Sequence, residues 1–222
     1  MLSQPHPSPL SHFVSYFVPF TERMFDLHAK AEAEGRSSEA KVWSVLVDQV
    51  WSGLHGYCYG TPDLKDALTQ QFSQLLSELL YNQPDLRPAV LRSLRVMVES
   101  NVALATGEAE RLIKLPEAAR ADTITQEAAA ANVAFLKTQC ESWLAVLFNV
   151  FTSVGRDGQG MVGDVISAWA SISDEKVKAY PIFILTLILK ERIGNRQSLP
   201  QPCQLAEPEH QQSSESAGNS SC

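Results

Sequence analysis

The spacing of apolar residues between glycine and proline breaks constrains this chain more than any other feature. Near the start, Phe13, Phe17, Phe20, Met24 and Leu27 recur at steps of three and four residues. This is the period of an α-helix that turns one apolar face towards a core. The alternating, β-branched runs typical of strands are scarce in the rest of the chain. The sequence therefore predicts an all-α fold.

Glycines, prolines and capping residues divide the chain into helical segments. Thr61 followed by Pro62 predicts a helix start, with the threonine as N-cap and the proline at the first helical position. Pro19 is expected to kink or end the first turns of its helix, and the glycine-rich residues 155–160 are expected to form a turn. The predicted helices span about residues 13–34, 39–54, 62–81, 85–104, 118–154, 161–172 and 174–193.

Further apolar stripes are assigned residue by residue, among them those of the second and fourth helices. The stripe of the second helix is predicted to comprise Val42, Trp43, Leu46, Val50 and Leu54. The inward face of the fourth helix is predicted to comprise Leu86, Val90, Leu94, Met97 and Val98. Each stripe would be buried against neighbouring helices, because an amphipathic helix is stabilised mainly by packing of its apolar face.

Composition changes at both ends of the chain. Residues 197–222 are rich in Ser, Gln, Pro and Glu and have almost no large apolar side chains. Such a segment buries too little surface to offset its ordering entropy. We therefore predict a helical-repeat domain over residues 12–195, with disorder at residues 1–11 and in a tail at residues 196–222.

The order of the helices predicts how they pack. Short turns between amphipathic helices favour antiparallel helix pairs, either stacked as a HEAT/armadillo-like solenoid or closed into a bundle. The helices near residues 39 and 85 begin about 46 residues apart, which lies in the range of HEAT and armadillo units. The solenoid is the favoured interpretation, and the bundle remains the alternative because the units show no clear self-similarity.

Residue types that carry catalysis or bind metals do not cluster in this sequence. The four cysteines are far apart, and Cys58 and Cys140 lie in apolar surroundings that predict buried, reduced thiols. His55 and Cys58 are three residues apart, but a turn residue beside a buried thiol is the favoured interpretation. Phosphate-loop and nucleophile-elbow motifs are missing too. We predict no enzyme, no cofactor, no metal site and no small-molecule substrate, although an enzyme completed by other segments remains an alternative.

The charge balance bears on nucleic-acid binding. The formal net charge is -7, so the chain as a whole has no electrostatic attraction to RNA. Any RNA contact would need a local basic strip. The candidate strip for RNA or an acidic partner comprises Arg87, Arg92, Arg95, Arg111 and Lys114. The alternative is an ordinary solvated helix face with acidic residues nearby.

The most apolar run of the chain, at residues 180–189, bears on membrane insertion. It is about half the length of the ~20 residues that span a bilayer. We therefore expect a buried helix there and no membrane span in this chain.

One segment carries a resemblance to a known family. Residues 41–65 resemble the ribosomal RNA processing twelve-like proteins, which are nucleolar HEAT/armadillo-repeat factors. Their pattern has a tryptophan-led helix, a turn with an aromatic residue and a cysteine, and a Pro-x-Asp start of the next helix. In this sequence the pattern falls on Trp51, Gly56, Tyr57, Cys58, Pro62 and Asp63, and residues 82–88 continue it. His55 stands where the family pattern has proline, and the family's members are much longer.

This resemblance implies a function. It suggests a non-catalytic scaffold for ribosomal RNA processing and for maturation or nuclear export of pre-ribosomal particles, located in the nucleus and nucleolus. The implied partners are pre-ribosomal proteins, and direct contact with RNA and the oligomeric state are left open. The alternative is a generic helical-repeat adaptor that binds a protein or peptide partner such as a transport factor.

Overall fold

The structure, a computed structural model, describes residues 8–108 and 124–174. These residues form helices joined by turns and contain no β-strand, so the predicted all-α class is confirmed. The α-helices in chain order are α1 (Pro9–His12), α2 (Val18–Ala33), α3 (Ser37–Ser52), α4 (Leu54–Cys58), α5 (Leu64–Ala67), α6 (Gln70–Asn82), α7 (Arg87–Thr106), α8 (Gln126–Ser153) and α9 (Arg156–Ile172).

Helices α2 and α3 form the first antiparallel pair. A π-helical segment, Phe13–Phe17, joins α1 to α2. Pro19 lies just beyond this segment, where its missing N–H interrupts the regular ladder of hydrogen bonds. The chain reverses between α2 and α3 at Gly35, whose φ of 71° lies in the left-handed region that favours glycine.

The buried face of α3 differs from the predicted stripe. Ala40, Val47 and Trp51 are buried, whereas Val42 is 55% exposed. Apolar residues surround most of this helix, so hydrophobicity alone did not show which side meets the core. The prediction for Val42 was therefore wrong, and the contacts of α3 with α2, α4 and α7 decide the orientation.

The predicted helix over residues 62–81 is two helices, α5 and α6. Thr69 is the N-cap of α6, and its hydroxyl accepts a hydrogen bond from the backbone N–H of Phe72 at 3.2 Å. Thr61 was predicted as the cap, but its hydroxyl instead donates to the carbonyl of Tyr57 at 2.8 Å. Both threonines fit the N-cap preference, but the Thr61 hydroxyl bonds back to the preceding helix α4.

Helix α7 is the centre of the described core. It contacts α3, α4, α6, α8 and α9. Its predicted inward face is confirmed, because all five of the residues assigned to it are buried. Gly107, with a φ of 71°, ends the helix in the left-handed conformation.

Helices α8 and α9 form a second antiparallel pair against α7. Thr125 caps α8 by accepting the N–H of Ala128 at 3.2 Å. Helix α9 begins at Arg156, earlier than predicted, and the glycine-rich residues 156–160 are therefore helical and do not form the expected turn. The predicted solenoid-type stacking of antiparallel pairs is confirmed as HEAT-like packing.

The N-terminal prediction needs one correction. Residues 8–11 were expected to be disordered, but Ser8 caps α1 through the N–H of Ser11, and Leu10 is completely buried. A single apolar side chain was too weak a signal in a proline-rich segment. The predicted disorder of residues 1–7, the predicted helix from residue 174, the boundary at 195 and the tail at 196–222 lie outside the described residues.

None of the helices in residues 8–108 and 124–174 has both the length and the hydropathy needed to cross a membrane. The apolar run at residues 180–189 lies outside that part of the chain.

Candidate functional site

Arg87 of the predicted basic strip is used inside the fold. Its Nε donates to the carbonyl of Leu80 at 2.7 Å, and a terminal nitrogen lies 3.4 Å from the carbonyl of Tyr81. These carbonyls belong to the last turn of α6, where the helix itself supplies no donor. Arg87 therefore caps the C-terminus of α6, and its half-buried guanidinium is directed away from an outer ligand.

Arg95 of α7 pairs with two carboxylates, one on its own helix and one on α9. Its Nε donates to Glu99 at 2.9 Å, and a terminal nitrogen donates to Asp164 at 3.0 Å. The hydrogen bond with Glu99 is the main cause that raises the pKa of Arg95. Burial acts in the opposite direction, and the charge of Asp164 adds to the rise. The guanidinium is therefore neutralised locally by acids of its own fold.

The ion pair between Arg95 and Asp164 should contribute little to stability. Both side chains are substantially exposed, at 43% and 62%, so water and salt screen the pair. A double-mutant cycle of Arg95→Ala and Asp164→Ala is expected to give a coupling of about 0.2–1 kcal/mol that falls in 1 M NaCl. Urea unfolding of the unchanged chain, the two single variants and the double variant measures this coupling energy. A matched cycle of Arg92→Ala with Asp164→Ala should give no coupling, and equal values in both cycles would contradict the pairing.

Arg92 is the exposed cation of the strip. It lies about 60° around α7 from Arg95, and no carboxylate of the described residues is within ion-pair distance of it. Arg111 and Lys114 lie outside the described residues. The structure thus places Arg92 and Arg95 on one stripe of α7 and directs Arg87 to another helix.

Sequence reasoning missed a polar network in the core. Asn132 of α8 donates from Nδ2 to the carbonyl of Thr61 at 2.7 Å and to Oδ1 of Asn101 at 2.9 Å. Asn101 donates in turn to the carbonyl of Met97 at 2.8 Å. All of these side chains are buried. The network fixes α7, α8 and the α4–α5 turn relative to one another, which is a structural role.

The buried cysteines were predicted correctly. Cys58 and Cys140 are both buried, and Cys140 has a free thiol. Burial, with the nearby charge of Asp174, raises the pKa of the Cys140 thiol to about 11, so this thiol is protonated near neutral pH. The thiol donates to the carbonyl of Trp169 at 3.5 Å. Within the described ranges, no group of three or more histidine, cysteine or acidic side chains could hold a metal ion.

Several large apolar side chains lie on the surface, among them Phe20, which was predicted to face the core. The more exposed of them, each at least 40% accessible, are Tyr16, Phe20, Val42, Val45, Tyr81 and Met161. Four of the six lie on the segment from the π-helical residues to α3. The described surface is therefore uneven, with its exposed apolar area concentrated on the first helix pair.

Comparisons with known proteins agree with this helical architecture. Residues 1–154 match the family model described as ribosomal RNA-processing protein 12, HEAT repeats. Ribosomal RNA-processing protein 12 of Schizosaccharomyces pombe is 33% identical over 165 residues, which cover 74% of this chain and 14% of that protein. The Saccharomyces cerevisiae protein of that name is 28% identical over 167 residues, covering 75% of this chain and 13% of the relative.

A vertebrate relative matches a similar share of the chain. The RRP12-like protein of Gallus gallus is 27% identical over 173 residues, covering 76% of this chain and 11% of its own length. The chain therefore spans about one seventh or less of the length of these relatives. No solved structure matches. On the match to more than half of its residues, the chain belongs to the ribosomal RNA-processing protein 12 (RRP12) HEAT-repeat family.

Proposed function

We propose that the chain is a non-catalytic helical scaffold in ribosome biogenesis, which binds pre-ribosomal proteins in the nucleus and nucleolus during maturation or export of pre-ribosomal particles. The observation that carries this proposal is the family match over residues 1–154, which extends from α1 through α8. Ribosomal RNA processing is the activity that the relatives' names give. A stack of helix pairs suits such a role because its outer helix faces can contact large partners.

Charge favours proteins over RNA as the main partners. The net charge is -7, and a polyanion gains affinity only where cations are free to displace its counterions. In the described strip, Arg87 caps a helix and Arg95 is paired with Glu99 and Asp164. These contacts support a scaffold that recognises pre-ribosomal proteins first and RNA second.

Sedimentation tests the scaffold proposal. The chain is tagged, extracts are fractionated on a sucrose gradient, and ribosomal RNA precursors are measured after depletion of the protein. We expect co-sedimentation with pre-ribosomal particles and accumulation of precursors. A chain that stays with free proteins, with precursor levels unchanged, would contradict the proposal. Recovery of a narrow set of transport factors without pre-ribosomal particles would instead favour the adaptor function.

Direct RNA contact through the basic strip stays a prediction, and among the described residues it rests mainly on Arg92. We expect Arg92→Glu to weaken crosslinking of precursor RNA several-fold at low salt and to lower the salt slope of binding by about one. Arg156→Glu is the matched control, because Arg156 is also an exposed arginine but lies on α9. Equal crosslinking of RNA by both variants and by the unchanged chain would show that the basic strip does not contact RNA.

A further inference from the structure

Helix α3 has an exposed ridge on the side opposite its buried residues. Ala40, Val47 and Trp51 are turned into the core. At 100° per residue, five exposed residues lie within about 80° of one another on the far side of the helix. We call these residues the outer ridge of α3; they are Ser38, Val42, Val45, Gln49 and Ser52. Their alternating steps of four and three residues are the spacing of a coiled-coil seam.

The centre of the outer ridge is apolar, and the described chain leaves it open. Val42 is 55% exposed and Val45 is 46% exposed. The other residues of the ridge are polar but uncharged, so contact along the ridge would bury no charge. The outer ridge therefore suits another helix that is apolar in the middle and uncharged towards its ends. Helix α3 itself has this composition.

Two charged residues flank the outer ridge on one side. Lys41 and Asp48 lie seven residues apart, which places them within about 20° around the helix and about 10 Å along it. Neither has an ion-pair partner among the described residues. Asp48 borders a small pocket that Asp85 and His28 also line, so a second carboxylate is near it. A cation from outside could therefore pair with Asp48, and a carboxylate from outside with Lys41.

One antiparallel register satisfies the valines and the flanking charges together. A two-fold axis across the middle of α3 would pack Val42 against Val45 of a second copy, and Val45 against Val42. In the same register, Lys41 of each copy lies within about two residues, or ~3 Å along the helix, of the level of Asp48 in the other copy. Apolar contact and charge pairing thus come from a single arrangement, and the symmetry repeats both.

We propose that the outer ridge of α3 binds the same ridge of a second copy of this chain, in an antiparallel two-fold dimer with two ion pairs between Lys41 and Asp48. An unrelated helix would need a carboxylate and a cation at this same spacing in the reverse direction, whereas a second copy has them. Glu39 lies on the other flank of α3 and is paired with Arg36, so it does not oppose the contact. The inference goes beyond the proposed scaffold function and does not depend on it.

A charge swap tests the register. The contact is short, so we expect a weak dimer, and sedimentation equilibrium of the full chain at increasing concentration measures its dissociation constant. Lys41→Asp and Asp48→Lys each place like charges opposite one another in both pairs, and each should raise the dissociation constant about tenfold at low salt. The double variant restores both pairs with reversed sign, so its dissociation constant should return to within about twofold of the original.

A matched pair of substitutions tests the apolar centre. Val45→Asp would place an unpaired carboxylate inside the contact and should weaken the dimer by about tenfold or more. Met161→Asp is the control, because Met161 is 42% exposed on α9 and the substitution changes the net charge equally. It should leave the dissociation constant unchanged. Unfolding midpoints measured at low protein concentration, where the chain is monomeric, confirm that each variant is folded.

Three outcomes would overturn the proposal. They are a chain that is still monomeric at about 1 mM, equal effects of Val45→Asp and Met161→Asp on the dimer, and a double charge variant that associates no more tightly than the single ones. The second would move the interface away from α3, and the third would exclude the pairing of Lys41 with Asp48. None of them affects the sucrose-gradient test of the scaffold function.

Discussion

Replacing Trp51 with alanine is expected to lower the free energy of unfolding by about 3–5 kcal/mol, the usual cost of removing a buried tryptophan. Trp51 is completely buried. Its ring meets Phe13 edge-on, with centroids 5.5 Å apart and an angle of 82° between the planes. Its Nε1 also donates to the hydroxyl of Thr21 at 3.0 Å. Alanine would remove the packing between α3, α2 and the π-helical segment at once.

A second variant separates packing from hydrogen bonding at this site. Trp51→Phe keeps a ring in the core but removes the donor to Thr21, so we expect a smaller loss of about 1–3 kcal/mol. The Thr21 hydroxyl still donates to the carbonyl of Phe17 at 2.7 Å in this variant, and this bond limits the loss of stability. Urea unfolding measures both variants, and Val45→Ala on the exposed side of α3 is the control. A loss below 1 kcal/mol for Trp51→Ala would contradict the assigned packing.

Local periodicity was enough to predict the existence of most helices. The inward face of α7 was assigned correctly from Leu86 to Val98, although Leu91, Ser93 and Val96 on other sides of this central helix are buried as well. Gly107 ends that helix in the left-handed conformation, for which glycine is the usual residue. These features depend on residues within a few positions of each other, which a single sequence contains.

Features decided by distant contacts could not be predicted. Thr61 and Thr69 both fit an N-cap, yet only Thr69 caps a helix, while the carbonyl of Thr61 accepts a hydrogen bond from Asn132, 71 residues further along. Propensity gives no preference between the two threonines, and the contact with Asn132 comes from a distant helix that local sequence does not show.

The basic strip shows the same limit for the candidate site. Arg92 and Arg95 lie about 60° apart around α7, as their spacing of three residues requires. The sequence could have suggested Glu99 as a partner of Arg95, because it is four residues further along the same helix. Asp164 lies 69 residues away, and the carbonyls that Arg87 caps have no side-chain signature. A count of cations therefore overestimated how many are free to bind a ligand.

Replacing Asn132 with alanine is expected to lower the free energy of unfolding by about 2–4 kcal/mol, because two buried acceptors would lose their donor. These acceptors are the carbonyl of Thr61, at 2.7 Å, and Oδ1 of Asn101, at 2.9 Å. Asn132 is 5% exposed and Asn101 is completely buried, so water cannot readily replace the lost amide. The substitution would also loosen α8 from α7 and from the α4–α5 turn.

Asn149→Ala is the matched control for this prediction. Asn149 is exposed on the same helix, so it carries the same gain in helix propensity without the buried hydrogen bonds. Its effect should lie within about 0.5 kcal/mol of zero. Urea unfolding compares the two variants, and the difference between them isolates the network, because the propensity gain cancels. If Asn132→Ala is no more destabilising than Asn149→Ala, water reaches the stranded acceptors and the network does not hold the helices together.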